Sequence, residues 1–398
     1  MEASFMDPSA FKCSQAGSTV RTRTGYWAFI PAAPPPSIEY SRELSLLLSQ
    51  ADAALSELSG LGRYLPNPSL FIEPYVRREA VASSRIEGTQ ADLDDLLLDE
   101  LASEQTSAHD DVREVRNYVA ALNYGIGSLE KLPIASRLVR EIHGVLMRGV
   151  RGDHATPGEF RTSQNWIGPP GSTIATATYV PPPPDVMLDR IASWEKFVNT
   201  HEQMPELIQC AIMHEHFEAI HPFLDGNGRV GRLLITLFLI ERKRLSKPLL
   251  YLSSYIERTR HDYYELLQAI RTDCAWPEWI RYFLVAVRET SREAVRKSQH
   301  LLALREHYRG MVHQKHRSLA LIDHVFATPY VDVKRATEWL GVTSPTATNS
   351  IRTLERIGLL QEVTGQRWGR VWAARPVLDA VQRSEEQPEE PELFPEAD

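Results

Sequence analysis

Residues 214–232 read HEHFEAIHPFLDGNGRVGR, and no other stretch restricts the fold as much. An apolar helical run, with Ile208, Ala211, Ile212, Phe217 and Ile220, ends at His221-Pro222. The turn Gly226-Asn227-Gly228 follows, and a second helix is expected to open at Arg229 and continue through LLITLFLI. The fold must therefore place His221 just before a glycine-rich helix start.

Such a turn suits an anion. Backbone N–H groups at a helix N-terminus point outward without intrahelical partners, and the helix dipole adds partial positive charge. Glycines permit positive φ and close approach of phosphate oxygens. Arg229 and Arg232, three apart on one helical face, offer guanidinium forks for further phosphate oxygens. Asp225, just before the turn, suits Mg²⁺, which is usually held by one or two carboxylates plus substrate oxygens. His221 titrates near neutrality and can take a proton from an attacking hydroxyl. The sum is a site for nucleotidyl or phosphoryl transfer.

Residues 221–232, HPFLDGNGRVGR, match HxFx(D/E)GNGRxxR without a gap, and in this the chain resembles the Fic (filamentation induced by cAMP) family. The resemblance implies an enzyme that transfers AMP from ATP to a Ser, Thr or Tyr hydroxyl of a protein. His221 would be its base and Asp225 its Mg²⁺ ligand. Gly226, Asn227 and Gly228 would surround the α- and β-phosphates, with Arg229 and Arg232 on the β- and γ-phosphates and Phe223 anchoring the loop. Ser83-Ser84-Arg85-Ile86-Glu87-Gly88 resembles the family's inhibitory motif (S/T)xxxE(G/N), here on the N-terminal side of the core. By that resemblance Ser83, Glu87 and Gly88 form an inhibitory element in which Glu87 pairs with Arg232 and competes with the γ-phosphate. Phosphate transfer, as in the Doc branch of the family, is disfavoured by the intact GNG loop.

Spacing alone admits a metal reading, since His214, Glu218 and His221 share a helical face that suits zinc. Zinc would occupy the base that the adjacent anion turn needs, so Glu218 is expected to orient its neighbours instead. Composition adds outer bounds: 398 residues, 43% hydrophobic and 24% charged, fit two or three soluble domains. The net charge of −8 is no partner signal, because seven acids lie in the tail from Glu385 and leave about −1 on the remainder. Three unclustered cysteines, Cys13, Cys210 and Cys274, point to a reducing compartment rather than a disulfide framework. With no leader pattern, and an apolar run at 233–240 too short to span a bilayer, a cytoplasmic protein with no membrane contact is expected.

In chain order, residues 1–37 read as an N-terminal arm and proline-rich spacer, the arm poorly ordered to about residue 25 and pinned at its end by Tyr26-Trp27-Ala28-Phe29-Ile30. Residues 38–110 read as a helical region containing the inhibitory helix, where Ala80, Ser84 and Glu87 form a small-residue stripe ending in a carboxylate. Thr89 with Asp92 three later resembles a capping box for the next, leucine-rich helix. The catalytic core spans 111–275. Within it, residues 157–184 lose helical periodicity and read as a hairpin or long ordered loop; in the family a flap here aligns the target segment by strand-type pairing, with Tyr179 and Val180 as clamps. Tyr255, Tyr263 and Tyr264 are candidates to flank the adenine.

A connecting helix is expected over 276–317. Residues 318–378 resemble a winged helix-turn-helix, with helices near Leu319–Phe326, Val333–Leu340 and Pro345–Ile357, the last opened by Ser344 with Pro345 at N1. Thr346, Asn349, Arg352 and Arg356 of the third helix, and Arg367 and Arg370 of the wing, suit DNA, while Asp332, Glu338, Glu355 and Glu362 offset their charge, so a protein contact is weighed equally. Residues 379–398 read as a disordered acidic tail. The expected class is mainly α: a Fic-type helical core with a β-hairpin flap and a small winged domain, with a homodimer implied by family resemblance. Two rivals to AMP transfer remain open: removal of AMP from a modified protein, with Glu87 positioning water, and a nucleotide-sensing DNA-binding regulator.

Overall fold

The computed structural model describes residues 6–64, 69–101, 110–150, 156–201, 203–312, 316–365 and 367–382, so the acidic tail from Glu385 and the connector residues Gln314 and Lys315 lie outside it. The chain is mainly helical and divides into two compact units, Met1–Arg296 and Lys297–Asp398. No described helix is long and apolar enough to cross a membrane.

The first unit opens with an antiparallel hairpin, β1 (Gly17–Arg21) and β2 (Trp27–Pro31), paired in the register Gly17↔Pro31 to Arg21↔Trp27. Among the described residues eleven α-helices follow: α1 (Arg42–Tyr64), α2 (Ser69–Ile86), α3 (Leu93–Leu101), α4 (Asp110–Ser128), α5 (Ser136–Leu146), α6 (Pro184–Val198), α7 (Glu206–Ile220), α8 (Asn227–Glu241), α9 (Ser253–Arg258), α10 (Arg260–Asp273) and α11 (Trp276–Met311). Every residue of α7 from Leu207 to Ile220 is buried, as expected of a helix enclosed on all sides rather than one with a solvent face. Indole N–H groups of Trp194 on α6 and Trp279 on α11 donate to the carbonyls of Met213 (2.9 Å) and Ala211 (3.0 Å), tying α7 to both neighbours. The small residues Ala80, Ser83 and Ser84 are fully buried, which lets α2 approach its neighbours closely.

Several expectations are corrected. The N-terminal arm is ordered from Met6: Ala28 and Phe29 are buried, and Phe29 N–H donates to the Val180 carbonyl at 2.8 Å, so the hairpin extends onto the flap. Cys13 and Cys274 form a disulfide across 261 residues, and only Cys210 is free and buried. Cysteine spacing carries no information about such a pair, because the fold alone brings the arm to the end of α10. The capping box lies three residues later than expected: Asp92 N–H donates to Asp95 (3.0 Å) and Asp95 N–H to Asp92 (2.8 Å), whereas the Thr89 hydroxyl goes to Glu114. Helix α8 begins at Asn227, two residues before Arg229.

The second unit contains α12 (His316–Ala327), β3 (Tyr330–Asp332), α13 (Val333–Leu340), α14 (Ser344–Arg356), β4 (Gln361–Glu362), β5 (Val371–Ala373) and α15 (Arg375–Gln382). Its antiparallel sheet has the order β3-β5-β4 around a core that includes Ile322, Phe326, Ile351, Leu354 and Trp372. Strand β3 and helix α15 were not anticipated. Thr343, not Ser344, is the N-cap residue of α14 and makes no side-chain cap, and Ser344 and Pro345 are its first helical residues.

Candidate active site

Helix α7 stops because His221 turns left-handed, at φ 49° and ψ 61°. A side chain with a Cβ is strained there and persists only when its surroundings hold it. Two side chains that sequence reasoning missed do so. Arg161 Nε donates to the His221 carbonyl at 2.9 Å, and Asn165 Nδ2 donates to the carbonyls of His221 (3.2 Å) and Phe223 (2.8 Å). Burial lowers Arg161 to about 10, which leaves it charged at neutral pH. Phe223 is fully buried and stacks on the His143 ring at 3.7 Å, as expected of a loop anchor.

The turn itself closes through Asn227, whose side chain accepts from Phe223 N–H (2.8 Å) and donates to the Phe223 carbonyl (2.9 Å). That side chain is committed to the loop, so it is the Asn227 backbone N–H, at the first position of α8 where no intrahelical acceptor exists, that remains for an anion. Gly226 occupies the N-cap position at φ 75°, a conformation that favours glycine. Beneath it His143 accepts from Gly158 N–H at Nδ1 (2.8 Å) and therefore donates from Nε2 to the Asp225 carbonyl (3.0 Å). Burial lowers His143 to about 4 and keeps this neutral tautomer in place.

His221 Nδ1 lies 3.3 Å from the Glu218 carbonyl, to which it donates, so Nε2 carries the free lone pair. Burial first, then the charge of Arg161, lowers His221 to about 4, and the ring is a neutral proton acceptor at pH 7. The expected partner Glu218 is pushed up to about 7 by burial, against the pull of Arg232. His214 Nε2 meets the Tyr263 hydroxyl at 2.9 Å, and no group of three or more His, Cys, Asp or Glu side chains among the described residues is arranged for a metal. The zinc geometry is therefore absent from these residues.

Glu87, at the end of α2, reaches the first turn of α8. Its Oε1 lies 2.6 Å from Arg232 Nη2, while Arg232 also donates to the Ser83 hydroxyl (2.9 Å) and carbonyl (3.0 Å). A Cβ added to Gly228 would meet the tip of the Glu87 side chain, so glycine lets the carboxylate settle against the helix N-terminus where it stands. Burial works to raise Glu87, yet Arg232, with help from Arg229, holds its carboxyl below the ordinary carboxylate value. Gly88 follows at φ 100° and turns the chain away. An anion from the protein thus rests where the helix terminus attracts one.

Arg229 points elsewhere. Its guanidinium lies 3.3 Å from Glu114 and 3.7 Å from Asp225, against the Met147 sulfur, and it does not line the cavity that Arg232 lines. Glu114, also unanticipated, accepts the Thr89 hydroxyl at 2.9 Å and so joins Arg229 to the chain just after Glu87. Asp225 is half-exposed at the mouth of the turn, and its Oδ1 accepts from Gly226 N–H at 2.6 Å. One exposed carboxylate beside an anion turn fits Mg²⁺, which takes its remaining ligands from phosphate and water.

A cavity of about 1010 Å³ opens over these groups, lined by Glu87, His221, Gly228, Arg232 and Tyr264 on one side and by flap residues 166–170 on another. The flap is a long ordered loop with one antiparallel bridge, Ile167↔Tyr179, rather than a regular hairpin. Tyr179 is buried and donates to the Ala219 carbonyl at 2.7 Å, clamping the flap to α7. Tyr263 and Tyr264 line the cavity. Tyr255 does not, and it packs on Tyr282 instead.

The family model described as Fic/DOC family N-terminal matches residues 45–127, and the Fic/DOC family model matches residues 133–239. A probable protein adenylyltransferase of Aquifex aeolicus is 36% identical over 87 residues, 22% of this chain and 27% of that protein. The protein adenylyltransferase Fic of Drosophila ananassae is 30% identical over 134 residues, 33% of this chain and 25% of that protein. The matches thus span about a quarter of these curated relatives. A Fic family protein from Desulfovibrio desulfuricans G20 superposes with TM-score 0.58 at 22% identity, covering 86% of this chain and 98% of that one. Fic-1 from C. elegans gives TM-score 0.50 at 19% identity, over 66% and 74%. These two structures share its fold.

Proposed function

We propose the following activity for this chain, which belongs to the Fic/DOC family: it transfers AMP from ATP to a hydroxyl side chain of a protein and is held back by its own Glu87. The observation that carries this reading is the Glu87 carboxylate seated on Arg232 and Gly228, one wall of the cavity that also holds His221. The site accepts an anion, and a proton acceptor stands beside it.

In the productive complex the triphosphate replaces the carboxylate. Its oxygens meet the N–H groups at the start of α8 and the Arg232 guanidinium. A target Ser, Thr or Tyr, aligned along the flap at 157–184, attacks the α-phosphorus in line. The new O–P bond forms as the bond to the bridging oxygen breaks, pyrophosphate leaves with that electron pair, and His221 Nε2 takes the hydroxyl proton. Mg²⁺ held by Asp225 and phosphate oxygens would supply charge neutralisation. With Glu87 in place, the γ-phosphate meets a like charge and loses the Arg232 fork, so ATP settles out of line. The relatives named as adenylyltransferases support the chemistry at family level. A cytoplasmic setting suits ATP as donor, while the Cys13–Cys274 bond is no argument for it.

The test is intact-mass measurement of the full chain and of Glu87→Gly after incubation with ATP and Mg²⁺. An added AMP on the variant or its target supports the reading, and an unmodified variant that binds ATP counts against it.

Two smaller effects follow. Because burial lowers His221 to about 4, kcat/KM should stay flat from neutral pH down to about pH 5 and fall only near pH 4. An acid limb centred at the ordinary histidine value of 6.5 would contradict the assigned environment. Thr89→Val should raise transfer by roughly 2- to 10-fold, less than removal of Glu87, because the bond to Glu114 that steadies the inhibitory segment is lost. Unchanged labelling would restrict Thr89 to local packing.

A further inference from the structure

Within the second unit, α13 and α14 are joined by a short turn at Gly341, which is left-handed at φ 59°. Helix α14 buries Ala347, Ser350, Ile351 and Leu354 and leaves Asn349, Arg352 and Arg356 exposed along the opposite side. Between β4 and β5 the chain extends a loop whose tip, Arg367-Trp368-Gly369-Arg370, is exposed, with Trp368 at 81%. An indole so open beside two arginines gains nothing from its own unit's core.

In sequence the acids of this unit appear to cancel its arginines, but in the structure three of the four named carboxylates are engaged by hydrogen bonds within the unit. The Asp332 carboxylate caps α13 through Arg335 N–H (2.6 Å). The Glu355 carboxylate accepts the Trp372 indole N–H (3.3 Å). The Glu362 carboxylate accepts the N–H groups of Thr364 (3.0 Å) and Gly365 (2.9 Å), closing the base of the loop. Glu338 alone of the four stays exposed without such a bond. Arg352, Arg356 and Arg367 form no ion pair among the described residues.

We propose that this face binds duplex DNA. The second helix of a helix-turn-helix lies in the major groove, where Asn349 and Arg352 match base edges in reach and donor pattern, while Arg356 matches a phosphate. The loop tip then meets the neighbouring backbone and minor groove through Arg367 and Trp368, an arginine beside an apolar wedge. Cationic forks without internal partners are complementary to a polyanion, and that complementarity favours DNA over a protein surface. The inference does not depend on AMP transfer.

The test is fluorescence anisotropy of a labelled mixed-sequence duplex titrated with the full chain at several salt concentrations. Binding should weaken at least about tenfold between about 50 and 200 mM salt. The variant Arg352→Ala/Arg356→Ala/Arg367→Ala should weaken it by on the order of 10²-fold at low salt and flatten the salt slope by about one per arginine, with circular dichroism and AMP transfer unchanged. Trp368→Ala, at an exposed position, should weaken binding without touching the fold. No binding at the lowest salt, or binding indifferent to the triple variant, overturns the proposal. So does a triple variant that changes self-association in sedimentation while neither chain binds the duplex, which would make the face a protein interface.

Discussion

Glu87→Gly is expected to raise AMP transfer by roughly 10- to 150-fold over the parent chain. The carboxylate makes a charge-assisted hydrogen bond of 2.6 Å to Arg232, and such bonds are worth about 1.5–3 kcal/mol. At about 1.4 kcal/mol per factor of ten, freeing Arg232 for the γ-phosphate accounts for one to two decades. Repulsion of a triphosphate by the same carboxylate adds to this, so the figure is a lower bound. ATP affinity should change less than turnover, because the inhibited chain can still hold ATP in an unproductive pose. Glu87→Gln, which keeps shape and hydrogen bonding but removes the charge, should fall between the two. Measured by label from ATP over a range of ATP concentrations, a rise in kcat with little change in KM fits this account. A fall in KM alone would mean that Glu87 only excludes ATP.

His221→Ala, placed in the Glu87→Gly background, should lower transfer by about 10²- to 10⁴-fold, the usual worth of a positioned general base. The ring lines the cavity, and its Nδ1 proton is committed to the Glu218 carbonyl at 3.3 Å, which leaves Nε2 as the acceptor. ATP binding should persist, since the N–H groups of α8 and Arg232 do not depend on the imidazole. The left-handed backbone at 221 is held from outside, by Arg161 and Asn165, so the alanine variant should keep its loop. Equal loss of ATP affinity and melting temperature would instead make His221 a structural residue.

What was legible in the sequence was what lies close together in it. The stop at His221-Pro222, the glycine turn and the arginines of α8 are contiguous, and chain geometry alone dictates their relation. Glu87 is 145 residues from Arg232, and only its place in a recognisable motif linked the two. Arg161, Asn165, His143 and Glu114 were missed for a physical reason. Arg161, Asn165 and His143 act on backbone carbonyls and Glu114 on the distant Arg229 side chain, across 56 to 115 residues, and a hydrogen bond to a main-chain oxygen leaves no side-chain pattern to read. Arg229 illustrates the reverse error. Two arginines three apart on a helix share a face, yet burial beside Glu114 turns one away from the cavity while Ser83 and Glu87 hold the other in it. The displaced capping box has the same origin, because Glu114 claims the Thr89 hydroxyl and leaves Asp92 to start α3.

The measurement that bears most directly on the central claim compares α-labelled with γ-labelled ATP on the Glu87→Gly chain in Mg²⁺. The account predicts label on protein from the α-phosphate only, abolished when His221→Ala is added. Label from the γ-phosphate, or α-label that survives the loss of His221, would contradict it.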